Sequence, residues 1–359
     1  MNLGIMFFAV GGDGSAADVY DTMLAAVRFA DRAPFCAVWT PERHFHEFGG
    51  HFPNPAVTSA ALAVVTSHLQ IRAGSLVSPL HNTVRLAEDW AVVDNLSRGR
   101  AAISFGSGWN ARDFVLWPER YEHRRELMYE QIATLRSLWS GESLVLCDSF
   151  GHEVPVRLFP RPVQAELPIW VTASASPETF RRAGQIGANV LTHLAFQDHD
   201  ALRERVAIYR AARRSAGLDP DAGLVSLMLH TYVDDDPARA HAVARGPLLR
   251  YLSSAIELEL HAARSGGAVS GGRRLSAGDV SAESVAELAD ASCDRYLATD
   301  SLIGSVAHCE AVVDRMRGLG VDEIACLLDF GIPASPMLDG VRRLAAVARA
   351  VHSETAGSR

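Results

Sequence analysis

The sequence has few cysteines, and none of the spacings that form metal sites or disulfide frameworks. The five cysteines are odd in number, far apart and free of C-x-x-C pairs, a pattern typical of reduced, mostly buried thiols in a cytoplasmic protein. No apolar run reaches the roughly 18 residues of a membrane span, and the opening MNLGIMFFAV has no basic segment of a secretory signal. We therefore expect a cytoplasmic protein without a membrane segment. The cysteines are Cys36, Cys147, Cys293, Cys309 and Cys326.

The chain also lacks clusters of basic residues. Its net charge is −8, with 34 Lys and Arg against 42 Asp and Glu. A nucleic-acid surface needs clustered cations to displace counterions, so we expect no nucleic-acid partner. The 359 residues, 48% of them hydrophobic, suffice for two domains or for one barrel with insertions.

Short apolar segments alternate with longer segments of helical periodicity along the chain. The apolar segments are continuous, as in parallel strands buried on both faces. The predicted strands are 3–9, 36–40, 71–78, 101–107, 168–174, 189–195, 224–233 and 323–331. The helices that follow them are 18–33, 55–68, 83–97, 124–140, 177–187, 199–216, 237–262 and 336–352. Eight such units predict a single α/β domain over 1–359, a (β/α)8 TIM barrel. An open dinucleotide-binding sheet is disfavoured because no G-x-G-x-x-G follows the first strand.

Two stretches interrupt this repeat. Residues 142–166 predict a small β-ribbon inserted after the fourth helix. Residues 264–281 are rich in Gly, Ser and Arg and predict a mobile loop in the last crossover. That loop could be a lid over the substrate, or a solvated loop. Further helices at 282–297 and 306–318 lengthen the same crossover.

The most titratable stretch, TPERHFHEFGG at 40–50, follows the second predicted strand. Active sites of barrels lie at the C-terminal ends of the strands, so this loop can present a histidine, His44, to a ligand. The alternative is that Glu42, Arg43, His46 and Glu47 form a solvated, salt-bridged surface loop.

A metal site is a second use for these histidines. His44 and His46 form an H-x-H, and His193, His230 and Asp329 end other strands, which are donor types of zinc hydrolases on barrels. Their H-x-H usually closes the first strand, whereas this one follows the second. We therefore expect no metal, and keep a metal hydrolase as an alternative.

Two further strand ends can receive a phosphate or a flat ring. In VTASASPETF, small residues precede Ser176, an N-cap candidate with Pro177 at the first helical position. The N–H groups of such a helix start can bind phosphate, and an ordinary cap is the alternative. After the fourth strand, two glycines flank Ser107 and let a ligand approach the backbone.

Three segments resemble the bacterial luciferase-like, flavin-dependent monooxygenases, and the resemblance covers nearly the whole chain. They are PERHFHEFGGHFPNP, VRLAEDWAVVDNLSRGRAAISFGSGWNARDF and VTASASPETFRRAGQIGANVLTH; the middle one is the most specific. The first is most similar to a subgroup found in natural-product biosynthesis. The resemblance implies the same barrel, a homodimer formed through its second and third helices, and an enzyme that oxygenates a substrate with reduced FMN (FMNH2) and O2. A separate NAD(P)H:flavin reductase would supply the FMNH2.

The resemblance also implies roles for residues at the strand ends. Those expected to bind FMN are Gly74, Ser75, Ser107, Gly108, Ala175, Ser176 and Thr179, with an unusual peptide bond often found at the first pair. His44 is expected to act at the reacting end of the flavin, with Glu42 chiefly orienting its neighbours. Candidate contacts for the substrate are His193, His230 and Arg273.

Two departures from the luciferases matter. They have His-His where this chain has Arg43-His44, and Cys-Arg-Gly where it has Gly106-Ser107-Gly108, which removes an arginine that binds phosphate. Oxygenation is implied, and light emission is not. A deazaflavin (F420)-dependent hydride transfer on the same fold and a flavin-binding subunit without catalysis remain alternatives. The sequence indicates neither the atom oxygenated nor whether the substrate is a free small molecule or bound to a carrier protein.

Overall fold

The structure, a computed structural model, describes residues 1–8, 15–46, 49–195, 197–264 and 282–357. Its strands are β1 (Asn2–Met6), β2 (Ala37–Thr40), β3 (Gln70–Val77), β4 (Ala101–Gly106), β5 (Leu144–Cys147), β6 (Glu153–Val156), β7 (Ile169–Thr172), β8 (Asn189–His193), β9 (Val225–Val233), β10 (Leu302–Gly304) and β11 (Glu323–Leu327). Its α-helices are α1 (Ala16–Ala30), α2 (Pro55–Val65), α3 (Thr83–Ser97), α4 (Arg124–Ser140), α5 (Pro177–Gln185), α6 (His199–Ser215), α7 (Pro237–Arg264), α8 (Ala282–Arg295), α9 (Val306–Gly318) and α10 (Ala334–Gly357).

Eight parallel strands close into a barrel in the order β1-β2-β3-β4-β7-β8-β9-β11. The last strand pairs back with the first, from Asn2 opposite Glu323 to Met6 opposite Leu327. These are the eight predicted strands, each followed by its helix, so the predicted (β/α)8 barrel is confirmed. The sequence did not predict β10, a three-residue strand that extends the sheet beside the end of β9.

A buried ion pair fills the barrel interior toward the N-terminal ends of the strands. The Arg72 guanidinium lies 4.6 Å and 4.3 Å from the ring centroids of Trp39 and Trp170, and 2.5 Å from the Glu323 carboxylate. The same carboxylate accepts a hydrogen bond from the Ser226 hydroxyl at 3.0 Å. These side chains come from five strands and close that end of the barrel, which leaves the C-terminal end for a ligand.

The predicted β-ribbon is confirmed as an antiparallel pair, β5 and β6. The buried Asp94 of α3 fixes the segment that leads from the ribbon back to the barrel. Its carboxylate accepts hydrogen bonds from the backbone N–H groups of Val163 (2.7 Å) and Gln164 (3.0 Å). Most of the predicted loop 264–281, with Arg273 and the proposed lid, lies outside the described residues.

The five cysteines are free thiols, of which Cys293, Cys309 and Cys326 are buried as expected. Cys36 is half-buried, and Cys147 is exposed on the ribbon strand β5. Within the described ranges, no helix has the length and apolar character needed to cross a lipid bilayer.

Candidate active site

The loop after β2 is fixed against two neighbouring segments. The backbone N–H of Glu42 donates to the carbonyl of Ser75 (3.0 Å), and that of Arg43 donates to the carbonyl of Phe52 (2.9 Å). His44 is half-buried and His46 is exposed, so the two histidines of the H-x-H occupy different environments. Glu47 lies outside the described residues.

The Glu42 carboxylate is buried, 6% exposed, and accepts three hydrogen bonds. Oε1 lies 2.9 Å from Nε2 of His44 and 2.7 Å from Nε2 of His81, and Oε2 accepts from the backbone N–H of Val77 at 2.7 Å. An ionised carboxylate only accepts, so each histidine must carry a proton on Nε2. This leaves Nδ1 of His44 as the nitrogen that can exchange a proton with a ligand.

These contacts change the pKa values of both partners. Burial acts to raise the pKa of Glu42, but the hydrogen bonds from His44 and His81 outweigh burial and bring it below its usual value. Burial acts to lower the pKa of His44, but the Glu42 carboxylate outweighs it and raises that pKa. Glu42 therefore stays ionised, and His44 holds its proton more readily than a free histidine.

Asp113 is a second buried carboxyl at this site, and its pKa shifts in the opposite direction. Burial raises the pKa of Asp113 to about 6, against the lowering effects of His44, Arg43 and a hydrogen bond from Asn110. The amide of Asn110 donates to Oδ1 at 2.8 Å. Two carboxyls with pKa values moved apart can serve as a fixed anion and as a proton carrier near neutral pH.

Small residues bring the ends of β3 and β4 close together. The Gly74–Ser75 peptide bond is cis, which agrees with the unusual bond that the resemblance implies. A Cβ on Gly74 would lie 2.8 Å from the Trp39 ring, and one on Gly106 would lie 3.3 Å from the Ser75 hydroxyl. The structure thus places the Ser75 side chain against Gly106, the residue before Ser107.

A cation lies behind the turn that follows β4. The buried Arg124 donates from Nε to the carbonyl of Gly108 at 2.8 Å and from Nη1 to that of Tyr121 at 2.6 Å. Gly108 has a left-handed φ of 77°, which glycine adopts most readily. Arg124 thus places a positive charge against the backbone of this turn.

The start of α5 matches the predicted N-cap. The Ser176 hydroxyl accepts from the backbone N–H of Thr179 at 3.4 Å, and Pro177 occupies the first turn. Ser176 is exposed, Thr179 is half-buried, and Ala175 is buried, with 8% of its surface exposed. The small side chains leave the helix start accessible to an anion.

His193 and His230 belong to a different part of the barrel mouth. Burial lowers the pKa of His193 to about 4 and, helped by the charge of His193, that of His230 to about 3. His230 packs against the rings of Tyr251 and Tyr296, which come from α7 and from the π-helical turn after α8. The last crossover therefore covers this side of the mouth.

The sequence analysis did not identify His81 and Asp113 as site residues. Both follow strands of the predicted barrel, and Asp113 lies in the RDF of the most specific matching segment, so strand-end position was the available signal. The metal alternative gains no support here: within the described ranges, no three His, Cys, Asp or Glu side chains are grouped to hold a metal ion.

A sequence model of the luciferase-like monooxygenases matches residues 1–323. The chain belongs to this family. One luciferase-like relative is the oxygenase component of the flavin-dependent trigonelline monooxygenase of Acinetobacter baylyi, 28% identical over 63% of this chain and 62% of the relative, thus less than two thirds of its length. Another is the F420-dependent hydroxymycolic acid dehydrogenase of Mycobacterium tuberculosis, 26% identical over 66% of this chain and 65% of the relative.

Solved structures share the luciferase-like fold over nearly the whole chain. The monooxygenase RslO1 of Streptomyces bottropensis has a TM-score of 0.77 at 24% identity, covering 96% of this chain and 98% of that one. The oxygenating constituent of 3,6-diketocamphane monooxygenase from Pseudomonas putida, solved with FMN, has a TM-score of 0.75 at 17% identity and covers 97% of both chains. At these identities the likeness establishes the fold alone. The relatives of this chain include proteins named as a flavin-dependent monooxygenase and as an F420-dependent dehydrogenase.

Proposed function

We propose that this chain is the oxygenase of a two-component monooxygenase. It binds reduced FMN at the barrel mouth and uses it with O2 to oxygenate a small or carrier-bound natural-product intermediate, and a separate NAD(P)H:flavin reductase delivers the FMNH2. The observation that carries this proposal is the His44 ring, which the buried Glu42 carboxylate holds at 2.9 Å at the end of β2. The relative described as an oxygenase component supports the reductase partner.

The residues at three strand ends fit FMN. The start of α5, with Ala175, Ser176 and Thr179, offers backbone N–H groups and a positive dipole end to the phosphate. Gly108 accepts a hydrogen bond from Arg124, and Ser107 and Gly108 would line the ribityl chain. Gly74 and Ser75 would lie against the ring system, because a glycine there lets a flat ring approach the backbone.

Reduced FMN, when bound, supplies the electrons that activate O2. The protein holds and moves the proton. Glu42 keeps Nε2 of His44 protonated and the ring oriented, so Nδ1 can donate or accept a proton at the reacting end of the flavin. Asp113, with its pKa of about 6, can exchange that proton near neutral pH.

A homodimer is part of the proposal. Apolar side chains on α2 and α3 are exposed in the single chain, and a partner would cover them. These side chains, with their exposed fractions, are Val57 (67%), Val64 (65%), Val92 (43%) and Leu96 (44%). These are the second and third helices, through which the resemblance implies dimerisation.

F420-dependent hydride transfer is the second candidate, because one relative is named as F420-dependent. Anaerobic titration of the protein with reduced FMN and with reduced F420 tests the choice. We expect tighter binding of reduced FMN, and a Ser176→Asp variant should weaken it about 10- to 100-fold, since losing one charge-assisted phosphate contact costs about 1.5–3 kcal/mol.

Aspartate caps a helix as well as serine, so Ser176→Asp should fold normally. Ser305→Asp, at the N-cap of α9, is the matched control and should bind reduced FMN as the wild type does. Tighter binding of reduced F420 would replace the monooxygenase proposal with the F420 alternative. Unchanged affinity in Ser176→Asp would remove the phosphate assignment.

A further inference from the structure

His230 is a buried polar side chain of β9. It is 1% exposed, and neither ring nitrogen has a hydrogen-bond partner among the residues that the structure describes. Buried polar atoms are nearly always paired, since an unmade hydrogen bond is costly. A ligand group is one partner that would satisfy this histidine.

The His230 ring points into the barrel. Side chains of a strand alternate between its two faces, so His230 and Ser226 of β9 share one face. The Ser226 hydroxyl bonds Trp170 Nε1 (3.1 Å) and the Glu323 carboxylate (3.0 Å), which both lie in the barrel interior. His230 is therefore on the interior face, nearer the C-terminal end of β9 and the proposed flavin site.

Aromatic rings surround this histidine. The centroids of Tyr251, Tyr296 and Phe330 lie 4.5, 5.2 and 5.3 Å from that of His230, each edge-to-face. Phe8 lies 6.2 Å from Tyr251 and carries the Arg43 guanidinium 4.4 Å above its ring. This aromatic wall therefore runs from His230 to the loop that holds His44.

The side chains of this wall determine which kind of ligand could bind there. Because His230 titrates far below neutral pH, its imidazole is uncharged there and offers one N–H donor and one acceptor. The surrounding ring faces and edges favour a flat apolar body.

We propose that His230 hydrogen-bonds the substrate, and that the substrate is a planar aromatic or conjugated molecule with an uncharged hydroxyl or carbonyl group at that end. This inference rests on the proposed function, since it names the substrate class of the same site. It goes beyond that function by assigning the substrate-binding wall to four aromatic residues, of which Tyr251 and Tyr296 belong to the last crossover.

Equilibrium dialysis against two probes, 2-naphthol and 2-methylnaphthalene, tests the inference without flavin. The probes share a planar body and differ in one hydroxyl. We expect the wild type to bind 2-naphthol about tenfold more tightly, which is the effect of about one hydrogen bond. The preference should be constant from about pH 5 to about pH 8, because His230 stays neutral over that range.

The variants separate hydrogen bonding from packing. His230→Phe keeps a ring in the wall and should reduce the preference to about twofold or less, whereas His230→Gln, which can donate and accept, should retain most of it. His308→Phe is the matched control, because His308 is half-buried on the outer helix α9 and its Nε2 has no partner within the described ranges. It should behave as the wild type.

Two results would overturn the inference. One is a His230→Phe variant, folded by circular dichroism, that keeps the wild-type preference. The other is a wild type that binds neither probe saturably, or binds both equally. Because the assay contains neither FMN nor F420, a failure of the flavin chemistry would leave its outcome unchanged, and the two proposals fail separately.

Discussion

Oε1 of Glu42 lies 2.9 Å from Nε2 of His44, and both residues belong to the loop that follows β2. The carboxylate is buried, and it also accepts from His81 and from the backbone N–H of Val77. One acidic side chain therefore fixes the orientation and the proton position of the histidine that we place at the flavin. Such a group is costly to alter, because every donor around it would lose its acceptor.

Glu42→Gln should therefore destabilise the fold. The amide replaces one oxygen with a donor, so one buried N–H or ring nitrogen is left without an acceptor, at a cost of about 1–3 kcal/mol in the free energy of unfolding at pH 7. Urea unfolding measures it, with Glu130→Gln at an exposed position of α4 as the control.

The pH dependence of that difference has a definite sign. The folded pKa of Glu42 lies below its ordinary value of 4.5, so its stabilising effect is present above that pH and is lost as the pH falls through the lower folded value. The gap between the wild type and Glu42→Gln should shrink in acid. A gap that widened in acid would contradict the assigned hydrogen bonds.

His44→Asn and His46→Asn should differ in coupled turnover. Once a substrate is found by its gain of one oxygen atom, His44→Asn should still bind reduced FMN but lose about 10²- to 10⁴-fold in product formation, because general acid–base catalysis is removed. H2O2 release should replace product formation. His46 is exposed and should matter far less, so uncoupling confined to His46→Asn would show that the wrong histidine was assigned.

Asp113→Asn should stabilise the protein at neutral pH. The folded pKa of Asp113 is raised from 3.8 to about 6, so the native state binds this proton more tightly than the unfolded chain. Stability is therefore lost as the pH rises between those values. The variant should be more stable than the wild type by about 1–3 kcal/mol above pH 6, and the gap should close toward pH 4.

Thermal unfolding across this pH range checks the prediction, with Asp21→Asn, exposed on α1, as the control. The pH profile of product formation should also lose a step near 6 in Asp113→Asn. Equal stability of variant and wild type at every pH would mean that Asp113 titrates normally.

The sequence predicted the elements of this fold well, because strand and helix signals are local. Continuous apolar runs located all eight barrel strands, and the Ser176-Pro177 pair located the start of α5. The three residues of β10 are too few to show a period. Their pairing with β9 depends on the course of the last crossover.

The candidate site was less predictable, because its side chains meet only through the barrel. Glu42 and His81 are 39 positions apart and touch through the adjacent ends of β2 and β3. Asp113 has the residue type of a surface aspartate, and its pKa is raised chiefly by its burial and further by the charge of Glu42. Tyr251 resembles any buried helical aromatic in sequence, and its contact with His230 arises from the long crossover that covers the mouth.

The most direct test of the account is the rate at which the bound flavin is reoxidised. The protein is loaded with reduced FMN without oxygen and mixed with O2 in a stopped-flow instrument, and the return of oxidised-flavin absorbance is compared with that of free reduced FMN. If Glu42, His44 and the aromatic wall cover the bound FMN, the oxidised-flavin absorbance should return clearly more slowly than in free solution. Reoxidation should be faster in the His44→Asn variant than in the wild type. Reoxidation at the rate of free flavin in both proteins would contradict the proposal that this chain is an FMNH2- and O2-dependent monooxygenase.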